Sequence, residues 1–370
     1  MKKKHKIALI GAAVLVVAAI GIYFLIKYQT YTYVEILKTY ENSSTDNANY
    51  KKCKDGILRY SRDGIALLTD KGEEQWNQPC QMGNPFVETS GNSIAVGDKG
   101  GTSILVFQRK GLKGEIHTTR PIEKMAISSQ GIVSAILKDE EMPLVMCYDA
   151  KGNILVENKV SLKTMGYPVD VAISEDGNTL LVSYLHTQEN KIVTKVVYYY
   201  FGGETAQKED YQVLQEEFDN AVVPVVTFLN KDTSLLVADK ALIFYEDSRQ
   251  PKASARVEMT KEIQSVAYNE DLVAVVLKNS GDAPYVLQIY NTKGKLLSEA
   301  AVEKEYTGIK VEDGKVLMYD GQSSSIFLKG GIHKYQGNLE ENILEIFPIG
   351  GLNKYMVINA NGFHEIKLVK

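Results

Sequence analysis

A similar polar corner returns along the chain, as LLTDKGEEQW at 67–76, CYDAKGNILV at 147–156 and IYNTKGKLLS at 289–298. In each, a short apolar run meets a Lys-Gly turn and leaves as a more polar run. Such a return marks an array of repeated β-sheet units. The corner glycines Gly72, Gly114, Gly152, Gly294 and Gly331 fall at multiples of roughly 40 residues, the period of a four-stranded propeller blade. The interval from Gly152 to Gly294 fits that period only loosely. The DKG, AKG and TKG corners are expected between the third and outermost strands of a blade, where positive φ favours glycine.

The units between the corners are built alike. PIEKMAIS, GIVSAILKD, LVMCYDAKG and NILVENK fill 121–159, and PVDVAISEDGNTLLVSYL with IVTKVVYYYFGG opens the next unit. Inner runs such as LLVSYL and LVAVVL are almost continuously apolar, as strands covered on both faces must be, whereas outer runs such as EEQW and KLLSEA carry charge. No amphipathic helix of useful length interrupts them. The fold class expected is all-β, an eight-bladed β-propeller with seven blades as the alternative, over residues 50–370. A ring of this kind is closed when strands from both chain ends complete one blade, which removes exposed edges. Tyr31 to Leu37 is a candidate closing strand, although Tyr31 to Tyr40 also reads as a short helix.

The N-terminus has a different character. The basic tail 1–6, MKKKHK, precedes an uncharged apolar run from Ile7 to Ile26. About 20 such residues suffice to cross a ~30 Å hydrocarbon core. Lys2, Lys3, Lys4 and Lys6 outweigh Lys27 and Lys38, so the positive-inside rule keeps the N-terminus in the cytoplasm. The run ends in YFLIKYQTYTY with no small-residue cleavage site, which favours an uncleaved anchor over a signal peptide. The expectation is a single-pass helix over 7–26, a juxtamembrane segment and linker over 27–49, and an extracytoplasmic propeller at the cytoplasmic membrane. Asn42-Ser43-Ser44 in the polar linker matches a glycosylation acceptor and is read as linker composition.

Charge and composition narrow the function. A net charge of −4 argues against a nucleic-acid partner, which needs a basic footprint. Six arginines, at 59, 62, 109, 120, 249 and 256, count against a multi-arginine anion site. Cys53, Cys80 and Cys147 are too few and scattered for a disulfide framework or zinc site, with a Cys53–Cys80 bridge left open.

LLTDKGEEQW resembles the outer half of a quinoprotein-type repeat, and PVDVAISEDGNTLLVSY resembles the inner half of WD-type and periplasmic translocation-type blades. Through RYSRDGIALLTDKGEEQW, GEIHTTRPIEKMAISSQGIV and GYPVDVAISEDGNTLLVSYL the whole chain is similar to a family of uncharacterised single-pass proteins of Gram-positive bacteria. That resemblance implies the architecture and brings no chemistry. A quinone-dependent dehydrogenase would need calcium ligands and a catalytic aspartate around the channel, and no cluster in the sequence supplies them.

Other chemistry is equally unmarked. SEDGNTL at 174–180 is similar to a sialidase Asp-box but lacks its tryptophan, and the Asp-Gly pairs at 63–64, 176–177 and 313–314 lack a calcium loop's spacing. His117, His186, His333 and His364 lie in separate units, and no serine sits in a nucleophile elbow. VVYYYF at 196–201 reads as a strand alternating between two packed faces, with a stacking surface for sugar or peptide as the sharper alternative. No catalytic, metal or cofactor-binding residue and no cofactor is therefore assigned. The expected function is a non-enzymatic binding scaffold at the cell envelope, with the lipid bilayer and a protein or envelope polymer as partners. The rival is a polysaccharide hydrolase or lyase whose carboxylates converge from different blades. A ligand sensor signalling through the membrane is a third reading, disfavoured by the short tail.

Overall fold

The computed structural model describes residues 2–41, 48–188, 191–202 and 211–370, the side chains of 2–10 and 27 excepted. Its recurring corners share one geometry. In three of them Thr69, Asp149 and Asn291 start the turn, and their side-chain oxygens accept backbone N–H bonds from Lys71, Lys151 and Lys293. The glycine follows at positive φ, +83° at Gly72 and +72° at Gly294, and donates its N–H back to the residue that started the turn. The strand pairing shifts by one residue just inside each corner. A turn, a left-handed glycine and a bulge together tie the third strand to the fourth.

Gly114 departs from the expectation. It lies inside the outer strand Gly111–His117, and Gly111 makes the turn instead, at φ +106°. A Cβ on Gly114 would stand 1.9 Å from the carbonyl oxygen of Ala150, so glycine is required there by the close approach of the next blade's corner. The loose interval after Gly152 also has a cause. In the blade formed by residues 225–258, Asp247 takes the positive φ (+64°) without a glycine.

Thirty-two strands, β1 to β32 along the chain, form eight four-stranded antiparallel sheets among the described residues. Blades 1 to 7 take four consecutive strands each. Blade 8 takes β30 (Glu345–Pro348), β31 (Lys354–Asn359), β32 (Gly362–Val369) and, as its outermost strand, β1 (Tyr33–Glu41) from the other end of the chain. The register runs from Tyr33 opposite Val369 to Glu41 opposite Gly362. The seven-bladed alternative is thereby excluded, and the segment that read as helix or strand is a strand. Eight separate apolar clusters fill the spaces between consecutive blades. One joins Leu58 and Leu67 of blade 1 to Val96 and Phe107 of blade 2. Another joins Ile57 and Leu68 to Phe347 and Phe363 of blade 8 and so closes the ring. Each face of every blade is covered by its neighbour, which is why the inner runs have no polar side.

Antiparallel order fixes two faces of the disc. The first-to-second and third-to-fourth turns, including every Lys-Gly corner, lie on one face. The second-to-third hairpins and the connections between blades lie on the other.

Helix α1 (Lys2–Tyr28) is attached on the corner face. Lys334 Nζ donates to the carbonyl of Ile26 at the helix C-terminus, Thr30 Oγ1 donates to the His333 carbonyl at 2.8 Å, and the Tyr31 N–H donates to the Lys334 carbonyl at 3.0 Å. The described side chains from residue 11 to 25 are exposed on every side of the helix. Among the described residues no helix is long and apolar enough to cross a membrane. The single-pass anchor over 7–26, the lipid-bilayer partner, the membrane localisation with its fixed topology and the single-pass character of the family resemblance are corrected accordingly. All three cysteines are free: Cys53 and Cys80 are not bridged. Asn42 to Ser44 lies outside the described residues.

Candidate functional site: charges in the central channel

The first strand of each blade lines the channel, and each is short, at four to seven residues. Six of the eight carry a charge. In order around the ring these are Lys51 on β2 (Asn49–Cys53), Glu88 on β6 (Pro85–Ser90), Lys124 on β10 (Ile122–Ile127), Asp170 on β14 (Tyr167–Ile173), Lys310 on β26 (Gly308–Glu312) and Glu345 on β30. The signs of these six alternate, with Lys52, Glu123 and Glu312 as second charges on β2, β10 and β26. Blades 5 and 6 break the alternation, because β18 (Val225–Phe228) and β22 (Ile263–Tyr268) carry no charge.

Blades 7, 8 and 1 hold their charges tightly. Lys310 pairs with Glu345 and lies 3.2 Å from Glu312, while Glu345 Oε1 also accepts the Ile346 N–H at 2.9 Å. The Phe347 ring, fully buried, has Lys52 Nζ at 5.1 Å and Lys310 Nζ at 5.6 Å from its centroid. Burial raises the Glu312 carboxyl, with Lys310 opposing the rise.

Blades 2 to 6 surround a cavity of about 310 Å³ lined by Glu88, Lys124, Asp170, Thr227 and Tyr268 among others. Lys124 Nζ lies 3.5 Å from Asp170 Oδ1, and Asp170 Oδ2 accepts the Val226 N–H of the next blade at 2.9 Å. Lys51 Nζ donates to the Val87 carbonyl at 2.8 Å beside Glu88. The Glu88 carboxylate makes no hydrogen bond and no ion pair among the described residues, although it sits deep in the channel. Burial raises its carboxyl, against the pull of Lys51 and Lys124. Burial also raises Asp170, against the Val226 N–H and Lys124, and pushes the Tyr268 phenol up to about 12. Both carboxylates thus keep an incompletely offset desolvation cost.

The features weighed in the sequence lie elsewhere. His117, His186, His333 and His364 are spread over blades 2, 4, 7 and 8. No group of three or more metal-ligating side chains forms among the described residues. His333 Nε2 stands 2.8 Å from Ser325 Oγ, but that serine is 2% exposed and out of reach of a substrate. SEDGNTL is a plain strand turn in which Asp176 accepts from Ser174 and Asn178. In VVYYYF, Tyr198 faces blade 5 through Ser234 and Tyr245, and Tyr199 faces the other way beside Tyr184. The channel charges were not singled out from the sequence. Their signal is a charge inside an otherwise apolar inner run, lone in PFVETS and PVDVAIS and beside Glu123 in IEKMAIS, visible once units are aligned on their turns.

Solved structures share the architecture widely, with 804 matching chains. One, a crystal structure of the eukaryotic initiation factor, superposes with a TM-score of 0.53 at 11% identity, covering 90% of this chain and 93% of its own. At that identity the likeness concerns the fold alone. No curated protein matches the sequence. The sequence model of DUF5711, a family of unknown function, matches residues 27–368, and the chain belongs to that family.

Proposed function

We propose that the propeller is a rigid, non-enzymatic scaffold that docks a protein partner on the face away from helix α1. The observation that carries this reading is the closure of blade 8 by β1, which completes the ring and fixes the loops of both faces on a frame without open inner edges. Helix α1 and the strand that follows it are tied to blade 7 on the corner face, and the second-to-third hairpins lie free of it. The carboxylates that meet in the channel have lysines among them, an arrangement suited to holding a partner group and poor for an acid–base pair.

Amine-reactive cross-linking of the full chain in native extracts, read by mass spectrometry, tests the reading. Lys99, Lys240 and Lys261, on hairpins and connections of the proposed face, are expected to link to one recurring partner. Lys71, Lys151 and Lys293, on the corner face, are expected to stay unlinked. Links confined to the corner lysines, or no recurring partner, would count against it.

A further inference from the structure

The cavity in blades 2 to 6 has a composition that restricts what it can hold. The Glu88 carboxylate lacks any hydrogen bond or ion pair among the described residues. Lys124 has only the 3.5 Å contact to Asp170, and its side chain is 47% exposed, so it keeps N–H donors free. Lys99 and Lys124 line the cavity with Glu88, Glu123 and Asp170, and Lys51, on the Val87 carbonyl beside Glu88, brings the positive charges to the same number. A ligand with a single charge would therefore leave a net charge in a poorly solvated space, which is costly. A neutral polyol would leave the Glu88 carboxylate facing dipoles only, weaker partners than a cation. The volume, about 310 Å³, lies at the small end of ligand pockets. Tyr268 and Thr227, on the two uncharged strands, leave that side of the cavity free of competing charge.

We propose that this cavity binds a small zwitterion of the amino-acid or dipeptide class, its ammonium on Glu88 and its carboxylate on Lys124. Asp170, held by the Val226 N–H, acts as the fixed counter-charge that keeps Lys124 over the cavity. The proposal stands on Glu88 and Lys124 in the channel, and the cavity shares Lys99 with the partner-docking face. Failure of the cross-linking experiment would leave it intact, and the reverse also holds.

Calorimetric titration of the full chain with L-alanine, L-alanyl-L-alanine, L-alanine amide, N-acetyl-L-alanine and glucose tests it. Either zwitterion is expected to saturate the protein, with the amide and the N-acetyl compound at least tenfold weaker and glucose silent. Glu88→Gln should bring the better zwitterion down to the level of the N-acetyl compound, and Lys124→Met down to that of the amide, in variants whose circular dichroism matches the parent. Binding of the amide or of N-acetyl-alanine as tight as that of the zwitterions, unchanged zwitterion binding in either variant, or binding of glucose alone would overturn the proposal, as would silence of both zwitterions.

Discussion

On blades 7, 8 and 1 the inner-strand charges close on one another, with Lys310 on Glu345 and Glu312 and the buried Phe347 ring beside two ammonium groups. On blades 2 to 4 the same residue types at the same strand positions stay apart, with one 3.5 Å contact and Glu88 unpaired around a cavity. The first arc is where the two chain ends meet and the ring must hold. Charges there are satisfied internally, so removing one partner leaves the other stranded. The second arc lies within continuous chain and needs no clasp. Its charges keep their capacity for something else. Similar residues in one channel thus serve closure on one side and leave binding capacity on the other.

Substitutions can break this contrast, and the largest effect is expected at the clasp. Phe347→Ala should cost about 4 kcal/mol in urea unfolding, because a fully buried ring between blades 8 and 1 is lost. Asp170→Ala should cost about 1–2 kcal/mol, since the Val226 N–H loses its acceptor. Tyr268, 38% exposed over the cavity, is the open arc's aromatic counterpart to Phe347, and Tyr268→Ala should cost about 0.5 kcal/mol or less.

The smallest effect has the opposite sign. Burial raises the Glu88 carboxyl above its usual 4.5, so between 4.5 and its folded value the folded chain holds a proton that the unfolded chain has released. Its contribution to stability therefore falls as pH rises through that window. Glu88→Gln removes the penalty. Its melting temperature should exceed the parent's slightly at pH 7, and the gap should close as pH falls toward 4.5. A lower melting temperature at pH 7 would show that Glu88 is satisfied after all.

The architecture was legible because a blade's chemistry is local. Thr69, Asp149 and Asn291 with their Lys-Gly corners are short-range signals, and the continuously apolar inner runs report coverage on both faces. Gly114 misled because its reason, the Ala150 carbonyl, belongs to the next blade. The closing strand was readable only as a candidate, since β1 meets β32 across more than 300 residues. The apolar run at 7–26 does form a helix, yet apolarity alone did not establish a span. The channel site was hidden for a related reason. Lys51, Glu88, Lys124 and Asp170 come from four blades, and only the ring's closure gives them a shared space.

Urea unfolding of Lys310→Met beside Lys124→Met, at pH 7 and against the parent, tests the contrast between the two arcs most directly. Lys310 is largely buried on Glu345 and should cost about 3 kcal/mol, whereas half-exposed Lys124 should cost about 1 kcal/mol or less. Equal losses, or a larger loss at Lys124, would contradict the division of the channel into a clasp and an open site.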